Sequence, residues 1–237
     1  MGKECTWWEA FAMIRVNIIV EGHTEEAFVH NILSPFLGER GVFVQVRRVE
    51  TGRSGGKIYR GGMPSYEKIK KDIQRWTKED KEAWYTTMFD LYALTSDFPG
   101  IQDACAISNP FERVEKIEGH FKNDINNQRF IPYIQLHEFE ALLLAEPQKF
   151  SCYYFKNEKP ISCLQKLCES YESPEHINQG AETAPSKRII NEIPSYENEK
   201  RTAGPIIAQE IGIEVMRSKC KHFSEWLGQL ELLASNL

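Results

Sequence analysis

The alternation of short apolar strands with amphipathic helices constrains the fold of this chain more than any other feature of its sequence. Arg15 to Val20 predicts a first strand, because it is rich in β-branched residues, and Thr24 to Leu37 predicts a helix with an apolar stripe. Further strands are predicted at 41–46, 84–91 and 130–136, and further helices at 65–78 and 111–122. Strands joined by helical crossovers form parallel sheets. The pattern therefore predicts an α/β fold with a central, mostly parallel sheet of about four strands flanked by helices.

Acidic residues stand where two of the predicted strands end. Glu21 follows the apolar run that ends at Val20, and Asp90 lies near the end of the predicted strand Trp84 to Leu91. An acid in such a run is costly to bury unless it is paired or bound to a ligand. The strands of a parallel sheet all end at one edge, where open α/β sheets bind ligands, so we expect these carboxylates to meet there. The predicted site is a divalent-metal site.

Glu25, Glu138 and Asp97 are further candidate metal ligands. Glu25 is four residues from Glu21, so both can face one ion; its alternative role is to complement the positive N-terminus of the helix. Glu138 and Glu140 diverge on a helix, so we expect one of the two to reach the site. Asp97 lies in a Ser-Asp-Phe-Pro-Gly segment that is also typical of a plain turn.

His137 and several cations are candidates to complete such a site. His137 is a candidate general base, with a metal ligand or a capping group as the alternatives. Lys187 and Arg188 begin a predicted helix, where cations oppose the macrodipole and a functional role is favoured. The glycine-rich stretch 51–62 is not a Walker motif, but its amides and cations suit a phosphate backbone, with a solvated loop as the alternative. Its cations are Arg53, Lys57 and Arg60.

Composition excludes several other classes of protein. No apolar run approaches the ~20 residues that cross a bilayer, so we expect a soluble cytoplasmic protein that contacts no membrane. The six cysteines lack zinc or thioredoxin spacing, which favours free thiols in a reducing compartment. The net charge of −5 argues against a generic polyanion binder, although a bound metal ion would allow local phosphate contacts. The motifs of nucleophilic hydrolases are absent from the sequence.

The character of the sequence changes along the chain. Residues 13–150 hold the alternation of strands and helices and form the predicted sheet domain. Residues 151–237 carry short helical patterns and a long polar loop at 170–185, and we expect a helical extension packed on that domain. Residues 1–12 fit neither part, because Met13 would be a natural start for the first strand. We expect an N-terminal extension or an upstream start codon there, with a packed helix as the alternative.

Two of these elements resemble the TOPRIM fold, the metal-binding module of topoisomerases, primases and OLD-type nucleases. Val20-Glu21-Gly22-His23-Thr24-Glu25 looks like the EGxxE element that follows strand one, and Asp90 looks like the first acid of the DxD element after strand three. Tyr92 stands where the resemblance would place the second acid. Either Asp97 or Glu138 supplies the missing ligand, or the site holds a single metal ion.

More closely, the chain is similar to a bacterial TOPRIM-like group, domain-of-unknown-function family 4276. The similarity covers nearly everything after Met13, and its segments lie at 20–25, 89–92, 97–100, 135–142, 184–189 and 204–231. It implies a TOPRIM-like domain with a helical C-terminal part. No assigned function comes with this family.

The resemblance to OLD-type nucleases implies a Mg²⁺- or Mn²⁺-dependent nuclease that hydrolyses nucleic acid. Glu21, Glu25 and Asp90 would hold metal, and Lys187 is the position matched to the lysine of those nucleases. Arg53, Lys57, Arg60 and Arg188 are the candidate contacts to the nucleic-acid backbone.

Two other hypotheses remain open. One is an interaction module that acts with an ABC- or SMC-type ATPase as the effector of an anti-phage system, because the chain has no ATPase motif of its own. The helices between Pro205 and Leu233 would then supply the docking surface, with ordinary core packing as the alternative. The other is a degenerate TOPRIM domain without catalysis, which Tyr92 in place of an acid would explain.

Overall fold

A computed structural model of the chain describes residues 14–54, 57–60, 63–177 and 181–235, with the backbone alone at 50–60 and at 181. The predicted N-terminal extension at residues 1–12 lies outside the described residues. The described residues contain seven strands. They are Ile14–Val20 (β1), Val42–Arg48 (β2), Glu50–Ser54 (β3), Lys57–Arg60 (β4), Trp84–Asp90 (β5), Phe130–Ile131 (β6) and Ile134–Gln135 (β7).

Five of these strands form the predicted parallel sheet. The order is β2-β1-β5-β6, β7 also pairs with β5, and every pairing is parallel. Helical segments separate β1 from β2 and β5 from β6, as a parallel arrangement requires. The predicted α/β class and its mostly parallel sheet are therefore confirmed.

The helices are interrupted by short 3₁₀ and π-helical turns. They are His23–Phe28 (α1), Ser34–Gly38 (α2), Tyr66–Glu79 (α3), Ile101–Ala104 (α4), Pro110–Ile125 (α5), Glu140–Leu143 (α6), Glu158–Glu169 (α7), Pro185–Glu192 (α8), Tyr196–Ile211 (α9), Ile213–Lys219 (α10) and Lys221–Ser235 (α11). A π-helical turn at Val29–Leu33 joins α1 to α2, so the predicted first helix is continuous. Within the described residues, no helix is both long and apolar enough to span a membrane.

Proline splits the strand predicted at 130–136. Pro132 has no N–H to donate to the sheet, and the strand divides there into β6 and β7. The hydroxyl of Thr87 on β5 fills the gap: it donates to the carbonyl of Tyr133 at 2.9 Å and accepts from the Tyr133 amide at 3.0 Å. Both halves therefore stay paired to β5, and the chain leaves β7 at the same edge of the sheet.

Two other expectations about local structure were wrong. The stretch predicted as a loop at 51–62 contains the antiparallel pair β3 and β4, which its many glycines had hidden. The helix predicted to start at Pro205 instead starts at Tyr196, runs through the proline and ends at Ile211. Gly212, with φ of 79°, separates it from α10, because this backbone conformation costs glycine little.

The C-terminal helices share a hydrophobic core with the sheet. Phe28 of α1 contacts Phe139 and Phe223 at ring distances of 5.3 and 6.3 Å, and Trp226 of α11 donates to Thr86 of β5 at 2.8 Å. The apolar residues considered as a docking surface are buried in this core, with the exception of Ile206, which is 41% exposed. The buried residues are Ile207, Ile211, Ile213, Trp226, Leu227 and Leu230. The five described cysteines are free thiols.

Glu175 fixes the start of α11. Its carboxylate is fully buried and accepts the backbone N–H groups of His222 at 2.9 Å and of Phe223 at 3.1 Å. These are orphan donors of the first helical turn, where a negative charge also complements the helix dipole. The backbone carbonyl oxygen of Glu175 also lies 2.9 Å from Nε2 of His137. Glu175 therefore ties the C-terminal helix to the end of β7.

Replacing Glu175 by glutamine should lower the free energy of unfolding by about 1–3 kcal/mol, because the amide can accept only one of the two N–H bonds and leaves a buried donor unpaired. Urea denaturation followed by circular dichroism measures this change. The matched variant Glu172→Gln alters an exposed neighbour and should change stability by less than about 0.5 kcal/mol. Equal effects of the two variants would show that the cap contributes little.

Candidate functional site

The register of the sheet brings Glu21 and Asp90 to the same edge. Val20 at the end of β1 pairs with Met88 of β5, so Glu21 leaves its strand beside the last two residues of β5. Asp90 is the last residue of β5 and pairs with Gln135 of β7. The strands are parallel, so all three C-terminal ends lie together. Glu21 and Asp90 therefore lie at one edge of the sheet, and a metal ion shared between them stays a prediction.

Glu25 reaches this edge because the residue before α1 is a glycine. The Glu25 carboxylate turns back and accepts the Gly22 N–H at 3.0 Å, as in a capping box. A Cβ atom on residue 22 would lie 2.8 Å from Oε2 of Glu25, closer than real contacts allow. Gly22 is therefore required for this position of the carboxylate. Glu25 therefore caps the helix, and its charge also acts on Glu21 and Asp90; its role as a metal ligand stays a prediction.

Both Glu138 and Glu140 reach the site. Glu138 follows β7, and its Oε2 accepts the backbone N–H of Ser186 at 2.9 Å, near the start of α8. Glu140 begins α6, is buried, and accepts the hydroxyl of Tyr196 at 3.2 Å. The sequence had predicted that only one of the two would reach the site, because side chains two residues apart on a helix point in different directions. His137 explains the difference, because its φ of 65° turns the chain before the helix begins.

The five carboxylates repel one another. Burial raises the pKa of Asp90 well above its usual value, and Glu25, Glu21, Glu140 and Glu138 raise it further, in that order. Burial and then the charge of Glu25 raise the pKa of Glu21 to about 7. Burial and then the charge of Glu138 raise the pKa of Glu140 to about 7. Such a concentration of buried acids disfavours ionisation unless a cation is nearby.

Lys200 of α9 is the cation that acts on this cluster. Its charge lowers the pKa of Glu21, Glu25 and Glu140 against the opposing effects of burial. Sequence reasoning missed this residue, because Lys200 lies in a charged stretch typical of a solvated helix face. Gly204, one turn later, lets α9 approach α1, since a Cβ there would lie 3.2 Å from Cγ2 of Thr24. Close packing of two helices therefore places this ammonium group.

The donor set suits a hard divalent cation. Oε2 of Glu21 and Oδ1 of Asp90 are buried and have no hydrogen-bond partner. Oxygen atoms of carboxylates are the ligands that Mg²⁺ and Mn²⁺ prefer. Among the described residues, no group of three or more histidine, cysteine, aspartate or glutamate side chains has the arrangement of a formed metal site. The fit is thus one of charge and donor type, and the remaining coordination positions would fall to water or substrate oxygens.

Asp97 lies apart from the carboxylate cluster, and Lys187 and Arg188 lie on α8. The Asp97 carboxylate accepts the backbone N–H of Tyr66 at 3.0 Å, at the start of α3, and this bond occupies it there. Lys187 is exposed on the first turn of α8, and Arg188 has a buried Nε without a partner. The side chains of Arg53, Lys57 and Arg60 lie outside the described residues.

His137 is buried and electrically neutral at physiological pH. Burial lowers the pKa of its ring to about 4, and only 4% of the residue is exposed. Nε2 lies 2.9 Å from the carbonyl oxygen of Glu175, which can only accept, so Nε2 carries the hydrogen. Nδ1 is then the free nitrogen, and it has no hydrogen-bond partner. A ring of such low pKa is a weak base, so a role in positioning is favoured over proton abstraction.

Comparison with known proteins gives a family and a set of similar structures. The model of a family described as "Domain of unknown function (DUF4276)" matches residues 20–231. The fold is similar to the C-terminal region of the Xanthomonas campestris pv. campestris OLD protein, with 14% identity over 94% of each chain and a TM-score of 0.45. The C-terminal region of the Burkholderia pseudomallei OLD protein matches with 12% identity over 93% of this chain and 98% of that one, at a TM-score of 0.40. No curated protein matches the sequence.

Stability should fall as pH rises through the range in which the cluster ionises. In the folded state Glu21 holds its proton up to about 7, against a usual pKa of 4.5, so between these values the folded chain binds more protons than the unfolded one. In EDTA, the free energy of unfolding should therefore decrease by on the order of 1–3 kcal/mol from pH 5 to pH 8.

Glu21→Gln should remove much of this decrease, and Glu39→Gln, at an exposed position, should not. Chemical denaturation at several pH values gives the slope. Saturating Mg²⁺ should reverse the decrease at pH 8 in the native sequence. A stability that rises over this range in EDTA would contradict the electrostatic description of the cluster.

Proposed function

Because the chain belongs to the DUF4276 family, whose description assigns no activity, we propose a function from the site itself: a divalent-metal-dependent nuclease that hydrolyses phosphodiester bonds of nucleic acid, built on a TOPRIM-like domain. The observation that carries the proposal is the convergence of five carboxylates with one lysine at the C-terminal edge of a parallel sheet. A cluster of this charge needs cations to be ionised at neutral pH.

Glu21, Glu25 and Asp90 would hold Mg²⁺ or Mn²⁺, with Glu138 or Glu140 completing the shell. When bound, the metal supplies an activated water and stabilises the charge on the leaving oxygen of a phosphodiester. The carboxylates orient that group, and Glu25 is itself fixed by the Gly22 amide. The acidic edge excludes a free polyanion, so the backbone of a nucleic acid would approach it only together with the metal.

Lys200 is the residue of this chain best placed to neutralise a phosphate at the site. Lys200 is exposed on α9 and its charge lowers the pKa of three of the acids, whereas Lys187 lies on α8. The backbone N–H of Ser186, which holds Glu138, places the start of α8 beside the cluster. Lys187 and Arg188 are accordingly proposed as contacts to the flanking backbone, together with Arg53, Lys57 and Arg60.

Asp90→Asn should abolish metal-dependent cleavage of single- or double-stranded DNA or RNA, because it removes the carboxylate at the centre of the cluster. Asp97→Asn makes the same change of charge on a residue that caps α3, and should keep cleavage within a few-fold of the native rate. Gel assays with Mg²⁺ or Mn²⁺ and with EDTA measure both. Full activity of Asp90→Asn, with its fold verified by circular dichroism, would refute the nuclease assignment.

The two lysines can be separated in the same assay. Lys200→Met should lower kcat by about 10²–10³-fold, the usual effect of removing one group that stabilises transition-state charge. Lys187→Met should act mainly on KM, by less than about tenfold, as expected for a contact to the flanking backbone. The reverse pattern would assign the catalytic cation to Lys187.

A second candidate function is a non-catalytic module that acts with a partner ATPase. The lack of a ready-formed group of three metal ligands in the described residues favours it, as does Tyr92 in place of an acid. The burial of the helices once considered for docking weakens it, since only Ile206 of that set is exposed. Calorimetric titration with Mn²⁺ separates the two functions. If the native chain does not bind Mn²⁺ at millimolar concentration, the non-catalytic module is supported. If it binds Mn²⁺ and Asp90→Asn does not, the nuclease is supported.

A further inference from the structure

A cavity of about 200 Å³ adjoins the carboxylate cluster through the residues that follow Asp90. It is far larger than one water needs, which is ~30 Å³. Leu91, Tyr92, Ser108, Arg113, His137 and His176 are among its lining residues. None of the described residues that line it is acidic. Arg113 is the one charged side chain among the described residues that line the cavity, so a guanidinium lies beside an edge of five carboxylates.

Two residues that line the cavity each have a buried nitrogen atom without a hydrogen-bond partner. One is Nδ1 of His137, a residue that is only 4% exposed, and the other is Nε of Arg113. Buried polar atoms in folded proteins nearly always have a hydrogen-bond partner, so a pair of orphans on one wall calls for a specific explanation. An anion that enters the cavity would supply an acceptor for the Arg113 guanidinium, and a water of its hydration shell would supply a donor for Nδ1.

The backbone holds this wall in place. His137 has a φ of 65°, unusual for a residue other than glycine, and its carbonyl accepts the Tyr92 N–H at 3.2 Å. The rings of Tyr92 and His137 pack with centroids 5.5 Å apart. Uncommon backbone conformations that the surroundings fix in this way occur often at ligand sites. Tyr92 is two residues after Asp90, and His137 directly precedes Glu138. The hydrogen bond between Tyr92 and His137 therefore also joins the cavity to the carboxylate cluster.

We propose that this cavity binds a phosphate group of the nucleic-acid substrate adjacent to the phosphate that is cleaved. The proposal rests on the proposed nuclease function for the identity of the substrate, but the anion site is defined by Arg113, His137 and Tyr92 alone. The planar guanidinium of Arg113 suits phosphate oxygens, and the Tyr92 hydroxyl can donate a further bond. A phosphodiester has no hydrogen to donate at neutral pH, so Nδ1 of His137 accepts a hydrogen bond from a water of the phosphate's hydration shell.

Binding can be tested without metal. Inorganic phosphate and a 5′-phosphorylated dinucleotide are titrated into the full chain in EDTA, by calorimetry and by phosphorus NMR. Arg113→Gln should weaken binding of both at least tenfold, the loss of one charge-assisted hydrogen bond. Lys116→Gln removes the same charge from an exposed position on α5 and should change affinity less than twofold. Equal binding by native chain and Arg113→Gln, or an equal loss in Lys116→Gln, would overturn the proposal.

Asp90→Asn keeps this test independent of catalysis. It should bind phosphate in EDTA at least as tightly as the native chain, because it removes a negative charge beside the cavity. If Asp90→Asn and native chain both bind phosphate but neither cleaves with metal, the nuclease function fails and the anion site stands. If the native chain cleaves nucleic acid, and Arg113→Gln binds phosphate and cleaves as well as the native chain, the anion site fails and the nuclease stands.

Cleavage assays then identify the source of the phosphate. Arg113→Gln should raise KM about tenfold or more with little change in kcat, since the cavity positions substrate away from the reacting atoms. Oligonucleotides with a 5′-phosphate and with a 5′-hydroxyl separate two supporting results. A rise in KM for the phosphorylated form alone assigns the cavity to a terminal phosphate, and a rise for both forms assigns it to an internal one. An unchanged KM for both forms would overturn the proposal.

Discussion

The like charges gathered at one edge of the sheet constrain this molecule more than any other interaction. Burial raises the pKa of Asp90, Glu21 and Glu140, and the charges of neighbouring carboxylates raise these three values further. Neutral carboxylic acids at pH 7 would relieve the repulsion, but they would give up the chemistry that makes such a cluster useful. A protein keeps this arrangement only where cations complete it, and Lys200 supplies one of them.

Local backbone chemistry holds the acids against that repulsion. Gly22 leaves room for the Glu25 carboxylate, the Ser186 amide holds Glu138, and the left-handed turn at His137 directs Glu138 and Glu140 towards the same edge. Each of these contacts is made by a backbone group at a helix start or a turn, so the positions of the acids depend on main-chain geometry more than on side-chain packing. The parallel register of β1, β5 and β7 then brings the three segments together.

The sheet and the central acids could be predicted because they depend on local patterns. The apolar run before Glu21 and the one that ends at Asp90 specify two strands, and parallel pairing then requires their ends to meet. The positions of Glu140 and Lys200 depend on contacts between distant segments. The position of Lys200 in particular depends on the approach of α9 to α1 at Gly204, and no pattern in the sequence of α9 predicts that packing. The break at Pro132 and the hairpin at β3 and β4 show the same limit at the scale of single strands.

Tyr92 links the carboxylate cluster to the neighbouring cavity, because it follows Asp90 by two residues and lines the cavity with Arg113. A second acid at this position would add a further charge to a cluster in which Glu138 and Glu140 already act on Asp90. A tyrosine instead faces the cavity that holds Arg113, where an acid would pair with the guanidinium and block an anion. The same substitution therefore lowers the negative charge next to Asp90 and keeps the neighbouring cavity open to phosphate. In the proposed nuclease, successive phosphates of the anionic backbone would each meet a positive charge, the cleaved one at the metal ion and the next one at Arg113.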